Sequence, residues 1–212
     1  MAHHPVKLLI ALTLVFIAPI FGQKAEAANT KPVEVQKAED YFARLNTVQA
    51  RFVQTSADGR QQRGTFYLDR PGKLRFQYDA PNEDFVVADG LFIYFYDSQL
   101  KQQSHAPISE TLAYFLLRDK MKLTGDLTVT KIMRSGDLVQ ISLVQTDQKE
   151  SGTLVLGFTE DKSKNLELKK WRIIDAMGNI TETELFNIKK DVKFKQKGLF
   201  AYHDPERKGL NQ

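Results

Sequence analysis

Cysteine is absent from the 212-residue sequence. Without it the chain has no disulfide framework and no thiolate metal site, and it has no N-terminal cysteine that a lipid modification could turn into a tether. If the chain is exported, we therefore expect it to be soluble and unanchored in the compartment that it reaches.

Histidine is scarce, and the two histidines outside the N-terminal segment, His105 and His203, are far apart. Neither has a serine or carboxylate partner at the spacing of a catalytic motif. The acid pairs Glu39-Asp40 and Glu160-Asp161 fall on a predicted helix face and in a predicted loop, where solvation explains them better than acid–base catalysis. A phosphate-binding glycine loop, a zinc signature and a calcium loop are also missing. We therefore expect no enzymatic activity and no metal or other cofactor.

A long basic block is missing as well. The 30 lysines and arginines exceed the 26 acidic residues by only four, and they are mixed with acids along the predicted strands. This pattern does not predict binding to nucleic acid. It favours at most a modest preference for anionic partners.

Residues 1–27 have the pattern of an export signal. An apolar run from Leu8 to Phe21 follows Lys7, is too short for a membrane span, and precedes the small-x-small cleavage motif Ala25–Ala27. An N-terminal membrane anchor is the alternative. After cleavage near Ala27, residues 28–212 have a net charge of +3 and are enough for one domain with a sizeable core.

The stretch from Gly64 to Asp97 is the richest in aromatic and β-branched residues. Its apolar residues alternate with polar ones, which predicts strands with one buried face, and Pro71-Gly72 predicts a turn between two of them. A third strand, Phe85 to Tyr96 with Asp89-Gly90 as a tight turn, is apolar on both faces and needs cover on both sides. The residues expected on the first apolar face are Phe66, Leu68, Leu74, Phe76 and Tyr78.

Upstream, the spacing predicts a helix over residues 31–46, with Val35, Ala38, Phe42 and Leu45 in one apolar stripe. We expect this helix to pack on the sheet. A strand from Val48 to Thr55 follows, with Val48, Ala50 and Phe52 on one face.

The segment from Ser109 to Asp119 is expected to form a short helix that is apolar almost all round, with Ser109 as its N-cap. Leu112, Phe115 and Leu116 form its main stripe. Such a helix either packs beneath the sheet as ordinary core or acts as a lid over a cavity, and the pattern leaves both readings open.

Five further strands are predicted after this segment, and the tail from Gly198 to Gln212 is expected to be a short extended piece that then frays. Strands at this spacing argue for a mainly β (α+β) fold with a large, strongly curved antiparallel sheet or an incomplete barrel. The predicted strands are Leu127–Arg134, Leu138–Gln145, Gly152–Phe158, Leu166–Asp175 and Ile180–Ile188.

Four motifs together resemble the periplasmic outer-membrane lipoprotein carrier family, LolA. They are TVQARFVQ (Thr47 to Gln54), the arginine-proline of FYLDRPGKLRFQY, the ADGLFIYFYD hairpin, and KKWRIIDAMGNITETELFNI (Lys169 to Ile188). Their order covers essentially the whole mature chain. The resemblance implies an unclosed β-barrel whose helices form a lid over an apolar cavity.

Family members act as periplasmic chaperones, and the resemblance implies the same partners here. They take acylated lipoproteins from an ABC-type lipoprotein-releasing transporter in the inner membrane, shield the acyl chains, and pass them to a receptor lipoprotein in the outer membrane. By the family's arginine-proline motif, Arg70 corresponds to the arginine that holds the lid shut, and Leu74 to an apolar residue important for passing cargo on. An ordinary ion pair at the cavity rim is the alternative role for Arg70.

The expected acyl-chain cavity residues are those of the apolar face, Phe52, Phe66, Leu68, Leu74, Phe76 and Tyr78, closed over by Leu112, Phe115 and Leu116. We expect a monomer. A carrier of another lipid or glycolipid, a lipocalin-like binder of a small ligand, and a hydrolase with an apolar tunnel would share many of these features. An outer-membrane receptor of similar fold would need a lipidated cysteine.

Overall fold

The computed structural model describes residues 31–207, so the predicted export signal lies outside the described residues. Within this range the chain forms one eleven-stranded antiparallel sheet, whose order is β6-β5-β4-β3-β2-β1-β11-β10-β9-β8-β7. The strands are β1 Thr47–Thr55, β2 Gln61–Asp69, β3 Lys73–Tyr78, β4 Phe85–Asp89, β5 Phe92–Asp97, β6 Gln102–Pro107, β7 Leu127–Ser135, β8 Leu138–Gln145, β9 Gly152–Glu160, β10 Leu166–Asp175 and β11 Ile180–Lys190.

Every neighbouring pair in the sheet is also consecutive in the chain except β1 and β11, which pair with each other at the centre. The two edges, β6 and β7, do not pair, so the barrel remains open. The predicted fold class, an unclosed and mainly antiparallel β-barrel with few helices, is confirmed.

Helix α1, Val33–Arg44, begins directly after Pro32 and lies on the sheet through the predicted stripe. Val35, Ala38 and Phe42 are at most 1% exposed, and the Phe42 ring meets Phe158 of β9 edge to face at 6.0 Å. Burying side chains of this size stabilises the fold by about 1.5–3 kcal/mol each. The helix therefore acts as a fixed part of the core under β8 to β10.

The predicted third strand is two strands, β4 and β5, joined by a tight turn. Gly90 adopts φ +114° there, and the Asp89 carboxylate accepts hydrogen bonds from the main-chain N–H groups of Leu91 and Phe92, both at 2.9 Å. The predicted alternation along β5 is confirmed, because Ile93 and Tyr96 fall on opposite faces and both are buried.

Strand β6 was missed, because residues 98–107 read as a polar loop. Its sequence, QQSHAP, has no apolar period, and its first four residues are exposed. It is an edge strand, which has no second neighbour to pack against and therefore no need of apolar residues.

The cover over the concave face is also less regular than predicted. Ser109 is not an N-cap but lies inside a 3-10 turn, Ile108–Glu110, and only Tyr114–Leu117 forms an α-helical turn, α2. We refer to residues 108–117 as the lid.

The convex face of β2 to β5 is covered by the C-terminal segment. Tyr202 stacks on Tyr94 with ring centroids 4.5 Å apart, and Phe194 meets Tyr67 at 5.9 Å. The lid and this segment thus cover the two apolar faces of β5. The last five residues, where fraying was predicted, lie outside the described residues.

Candidate functional site

An apolar cavity of about 250 Å³ lies between the concave face of the sheet and the lid. Strands from both halves of the sheet and the lid contribute to its wall, while Gln54 and three threonines are its polar contributors. The lining residues are Phe42, Gln54, Leu74, Phe76, Tyr78, Val86, Ile93, Phe95, Thr111, Leu112, Ala113, Phe115, Leu116, Met121, Leu154, Leu156, Leu168, Trp171, Ile173, Thr181 and Thr183.

Six of the nine predicted cavity and lid positions contribute to this wall. Three come from β3 and three from the lid, and together they form facing sides of the cavity. They are Leu74, Phe76 and Tyr78 on the sheet and Leu112, Phe115 and Leu116 on the lid.

The other three predicted positions, Phe52, Phe66 and Leu68, share the concave face but do not line the cavity. They are at most 2% exposed and form the packed floor beneath it. The physical reason is that other aromatic rings pack against two of them and separate them from the cavity. Phe76 lies 4.8 Å from Phe66 and 5.1 Å from Phe52 between ring centroids, and Trp171 lies 5.7 Å from Phe66.

The far wall, from β9 and β10, was not predicted. On β10 a bulge lies between Leu168 and Lys170, so that Leu168 and Trp171 both line the cavity although they are three residues apart. A bulge inserts one residue and reverses the alternation beyond it. The apolar residues Trp171 and Ile173 were visible in the sequence, but a strict period of two would place them on the opposite face from Leu168.

The one hydroxyl-bearing aromatic in the wall is Tyr78, whose OH donates a 2.7 Å hydrogen bond to Gln54 Oε1. Burial raises the pKa of the Tyr78 hydroxyl to about 12, so the side chain is neutral at physiological pH. The two polar groups therefore satisfy each other and leave the wall suited to hydrocarbon.

Arg70 lies at the point where α1 and the lid end. Its Nη1 donates to the Phe42 carbonyl and, at 3.0 Å, to the Leu45 carbonyl. Its Nη2 donates to the carbonyls of Arg118 at 2.6 Å and Asp119 at 3.2 Å. Burial lowers the pKa of the guanidinium, which nevertheless stays charged because arginine does not deprotonate in proteins. The predicted contact between Arg70 and the backbone of the lid's end is present, and no carboxylate takes its place.

Three further contacts hold the lid and the loop after it. The Gly72 N–H donates to the Leu117 carbonyl at 2.8 Å, and the Leu123 N–H donates to Glu39 Oε1 of α1 at 2.8 Å. Arg118 contributes a third contact through an ion pair with Asp126, with Nη1 to Oδ2 at 2.6 Å.

Among residues 31–207, His105 of β6 and Glu160 of β9 belong to strands that are not neighbours in the sheet. His105 packs at 5.6 Å from the Tyr94 ring on the convex face, and Glu160 makes ion pairs with Lys37 and Arg134. These cations hold the pKa of the Glu160 carboxyl at about 2. Within residues 31–207, no group of three or more metal-ligating side chains and no helix long and apolar enough to cross a membrane is found.

Comparison with known proteins gives one family. A family model described as outer membrane lipoprotein carrier protein LolA matches residues 43–203. An outer-membrane lipoprotein carrier protein of Legionella pneumophila (strain Corby) is 30% identical over 206 residues, covering 94% of this chain and 96% of the relative. Proteins of the same name from Methylococcus capsulatus and Pseudomonas aeruginosa are 28% and 27% identical, covering 85% and 82% of this chain and 88% and 86% of the relatives.

Proposed function

The chain belongs to the LolA family of outer membrane lipoprotein carrier proteins, and from that premise we propose that it shelters the acyl chains of lipid-modified lipoproteins in the cavity beneath its lid. The lipoprotein-carrier function follows from the family and from relatives that match nearly the whole chain. The residues that perform it are the subject of the proposal.

The observation that carries the proposal is a mostly apolar cavity enclosed between the sheet and the lid. Each methylene of an acyl chain costs about 0.8 kcal/mol to expose to water, so a lipoprotein does not cross an aqueous gap without cover. The wall of the cavity offers that cover, and the lid offers a way to open it.

The position of the lid suggests how cargo enters. In the closed arrangement the cavity has a volume of about 250 Å³, and Leu112, Phe115 and Leu116 of the lid form one side of it. We propose that the lid swings away from β3 and β10 when cargo enters, and that Arg70 is the latch that holds it closed.

The proposal includes the chain's place in the cell. We propose that export delivers it to the periplasm as a monomer of one domain, residues 28–212, that an ABC-type transporter of the inner membrane loads it, and that a receptor lipoprotein of the outer membrane unloads it. The proposed function is binding and transfer without catalysis. A screen for hydrolysis of acyl esters tests whether the protein is free of that activity.

The experiment that tests the site is binding of a fluorescent triacylated lipopeptide to the purified protein. The lid double variant Leu112→Glu, Leu116→Glu should weaken binding at least tenfold, because two charges would face the acyl chains. Leu91→Glu is the matched control, since Leu91 is 76% exposed and lies outside the cavity wall. If the two variants bind equally well, the cavity is not the acyl site.

A second candidate, a carrier of another lipid or glycolipid on the same fold, is favoured by the mostly apolar wall, which has no charged group to recognise a particular headgroup. Mass spectrometry of the molecules that co-purify with the protein from the cell envelope distinguishes the two. Lipoproteins are expected, and a glycolipid without lipoproteins would favour the alternative.

A further inference from the structure

A second pocket, of about 360 Å³, lies next to the apolar cavity, where β4, β5 and β6 meet the turns at one edge of the sheet. The two share Tyr78, Val86 and Phe95 in their walls. The second pocket therefore adjoins the first, although its far side is of a different chemical character.

The change in character follows one row of residues across the sheet. Strand pairing places Phe76 beside Val86, Val86 beside Phe95, and Phe95 beside Ser104. Along this row exposure rises from the half-buried Phe76 to Phe95, which is 42% exposed, and to the exposed Ser104 on the edge strand. A molecule that extends along the row passes from a dry surface to a wet one within four strands.

Polar groups surround the outer end of this row. Gln102 lies two residues from Ser104 on the same face of β6, and Asp84 contributes a half-buried carboxylate. Asp84 Oδ1 accepts hydrogen bonds from the N–H and the hydroxyl of Ser98 at 2.8 and 2.7 Å, while Oδ2 has no partner among residues 31–207. The pocket thus presents acceptors and amide donors at the point where the apolar wall ends.

The edge strand adds main-chain groups to this set. In the described part of the chain β6 pairs only with β5, so the outer edge of β6 has no strand beside it. An extended peptide can bind such an edge through its own main chain.

We propose that this second pocket binds the polar junction of an acylated lipoprotein, namely the amide-bearing head that joins the acyl chains to the protein and the first residues of the extended peptide after it. This inference rests on the proposed function, because it takes the apolar cavity as the acyl site. The two pockets share Phe95, which pairs with Ser104, so acyl chains that fill the cavity towards Phe95 bring the amide groups attached to them close to Ser104 and Asp84. The peptide then leaves over β6.

The test compares two probes, a synthetic triacylated lipopeptide with six peptide residues and free palmitic acid. Ser104→Trp fills the second pocket and should weaken lipopeptide binding about tenfold while leaving palmitic acid binding unchanged. His105→Trp is the matched control, because His105 is on the same strand but faces the convex side, where its ring packs near Tyr94. It should change neither affinity, and thermal melts of both variants establish that they fold.

The outcomes separate the two claims. Unchanged lipopeptide binding by Ser104→Trp, or equal weakening of both probes, overturns the peptide subsite and leaves the carrier function standing. A wild-type protein that binds neither probe overturns the proposed function and this inference with it.

Discussion

At the scale of single residues, the guanidinium of Arg70 bonds the main chain of two separate segments. It donates to carbonyls at the end of α1 and at the end of α2. Helix C-termini carry unpaired carbonyls and partial negative charge, which a cation stabilises. The planar guanidinium reaches both sets at once, whereas the ammonium of lysine offers a point charge.

Arg70→Leu should leave the fold intact but slow the release of cargo. Losing hydrogen bonds from a charged donor costs about 1.5–3 kcal/mol, and this cost falls on the closed arrangement of the lid, because opening the lid breaks these bonds in any case. The variant should therefore load normally and retain its lipopeptide when receptor is added. The transfer rate of a labelled lipopeptide to the receptor measures this.

Arg75→Leu is the control for that measurement. Arg75 is also half-buried, but its guanidinium bonds Gln77 and lies 4.8 Å from the Phe85 ring, away from the lid. It should release cargo at the wild-type rate. If Arg70→Leu also does so, the latch role is wrong.

Gly64 of β2 sets how closely β1 and β3 approach below the cavity. A Cβ at this position would lie 2.2 Å from the Gln77 carbonyl oxygen and 2.6 Å from the Phe52 ring. Gly64→Ala should therefore lower the free energy of unfolding by about 3 kcal/mol or more, the upper end of the cost of overpacking. Urea denaturation measures this.

Gly59→Ala is the control, because no atom lies within 4 Å of the added Cβ. It should lower the free energy of unfolding by only about 1–2 kcal/mol, for its left-handed φ. An equal loss of stability in both variants would contradict the packing argument.

At the scale of elements, ion pairs on the exposed side of α1 attach this helix to the sheet. Lys37 of α1 meets Glu160 Oε1 at 2.7 Å, and Arg134 of β7 meets Glu160 Oε2 at 2.9 Å and Glu34 of α1 at 3.3 Å. These bonds link the helix to the ends of two strands. Because they hold the pKa of Glu160 at about 2, they make the docking of α1 dependent on pH.

The direction of that dependence follows from linkage. The pKa of Glu160 is lower in the folded protein than in the unfolded chain, so its contribution to stability is complete above about pH 5 and is lost as the pH falls towards 2. Glu160→Gln should lower the melting temperature at pH 7, and the difference from wild type should vanish near pH 2. Glu184→Gln, at an exposed glutamate with no ion pair among the described residues, should show no such convergence.

The sequence predicted most elements correctly from their apolar period and the turns between them. The stripe of α1 and the alternation of β1, β2 and β3 are confirmed, and the bounds of the five strands from β7 to β11 are confirmed to within two residues. Prediction failed where another force replaced the period. Strand β6 was missed because it is a polar edge strand, and the part of the cavity wall on β10 was missed because of the bulge near Lys170. The lid forms only single turns because its backbone bonds Gly72 instead of continuing a helix.

The same limit applies to the site. Alternation placed six residues on the concave face, of which three from β3 line the cavity. It does not tell depth on that face, so Phe52, Phe66 and Leu68 were assigned to the wall although they form the floor. The depth of a residue depends on the rings that pack against it. Here Trp171, which packs against Phe66, comes from β10, and β10 is joined to β1, β2 and β3 only through β11.

At the scale of the whole molecule, the pairing of β1 with β11 joins two meanders into one sheet. Their residues are more than 120 positions apart in the sequence, so no local pattern reports this contact. The strand pattern left open a strongly curved sheet or an incomplete barrel, and the resemblance to the family implied the unclosed barrel. The consequence is a continuous wall in which every internal strand is held on both sides.

The lid, by contrast, has no strand ladder to hold it. Its main-chain bonds to neighbouring segments run from the Ile108 N–H to the Leu91 carbonyl and from the Gly72 N–H to the Leu117 carbonyl. Just beyond it, Arg70 bonds two carbonyls and the Leu123 N–H bonds Glu39. Segments with few such bonds open at lower free energy than the strands of a sheet. We therefore propose that the lid opens while the sheet stays closed around the cavity.

Hydrogen exchange measured with and without a bound triacylated lipopeptide tests this division. Residues 108–126 should lose protection when cargo fills the cavity, because the lid moves outward and the N–H groups of Gly72 and Leu123 give up their partners. The strands from β1 to β3 and from β9 to β11 should keep theirs, because their main-chain bonds run within the sheet. The Arg70→Leu variant should show the raised exchange of residues 108–126 even without cargo. Loss of protection spread evenly over the strands would mean that cargo enters by opening the barrel itself, and the lid would then have no gating role.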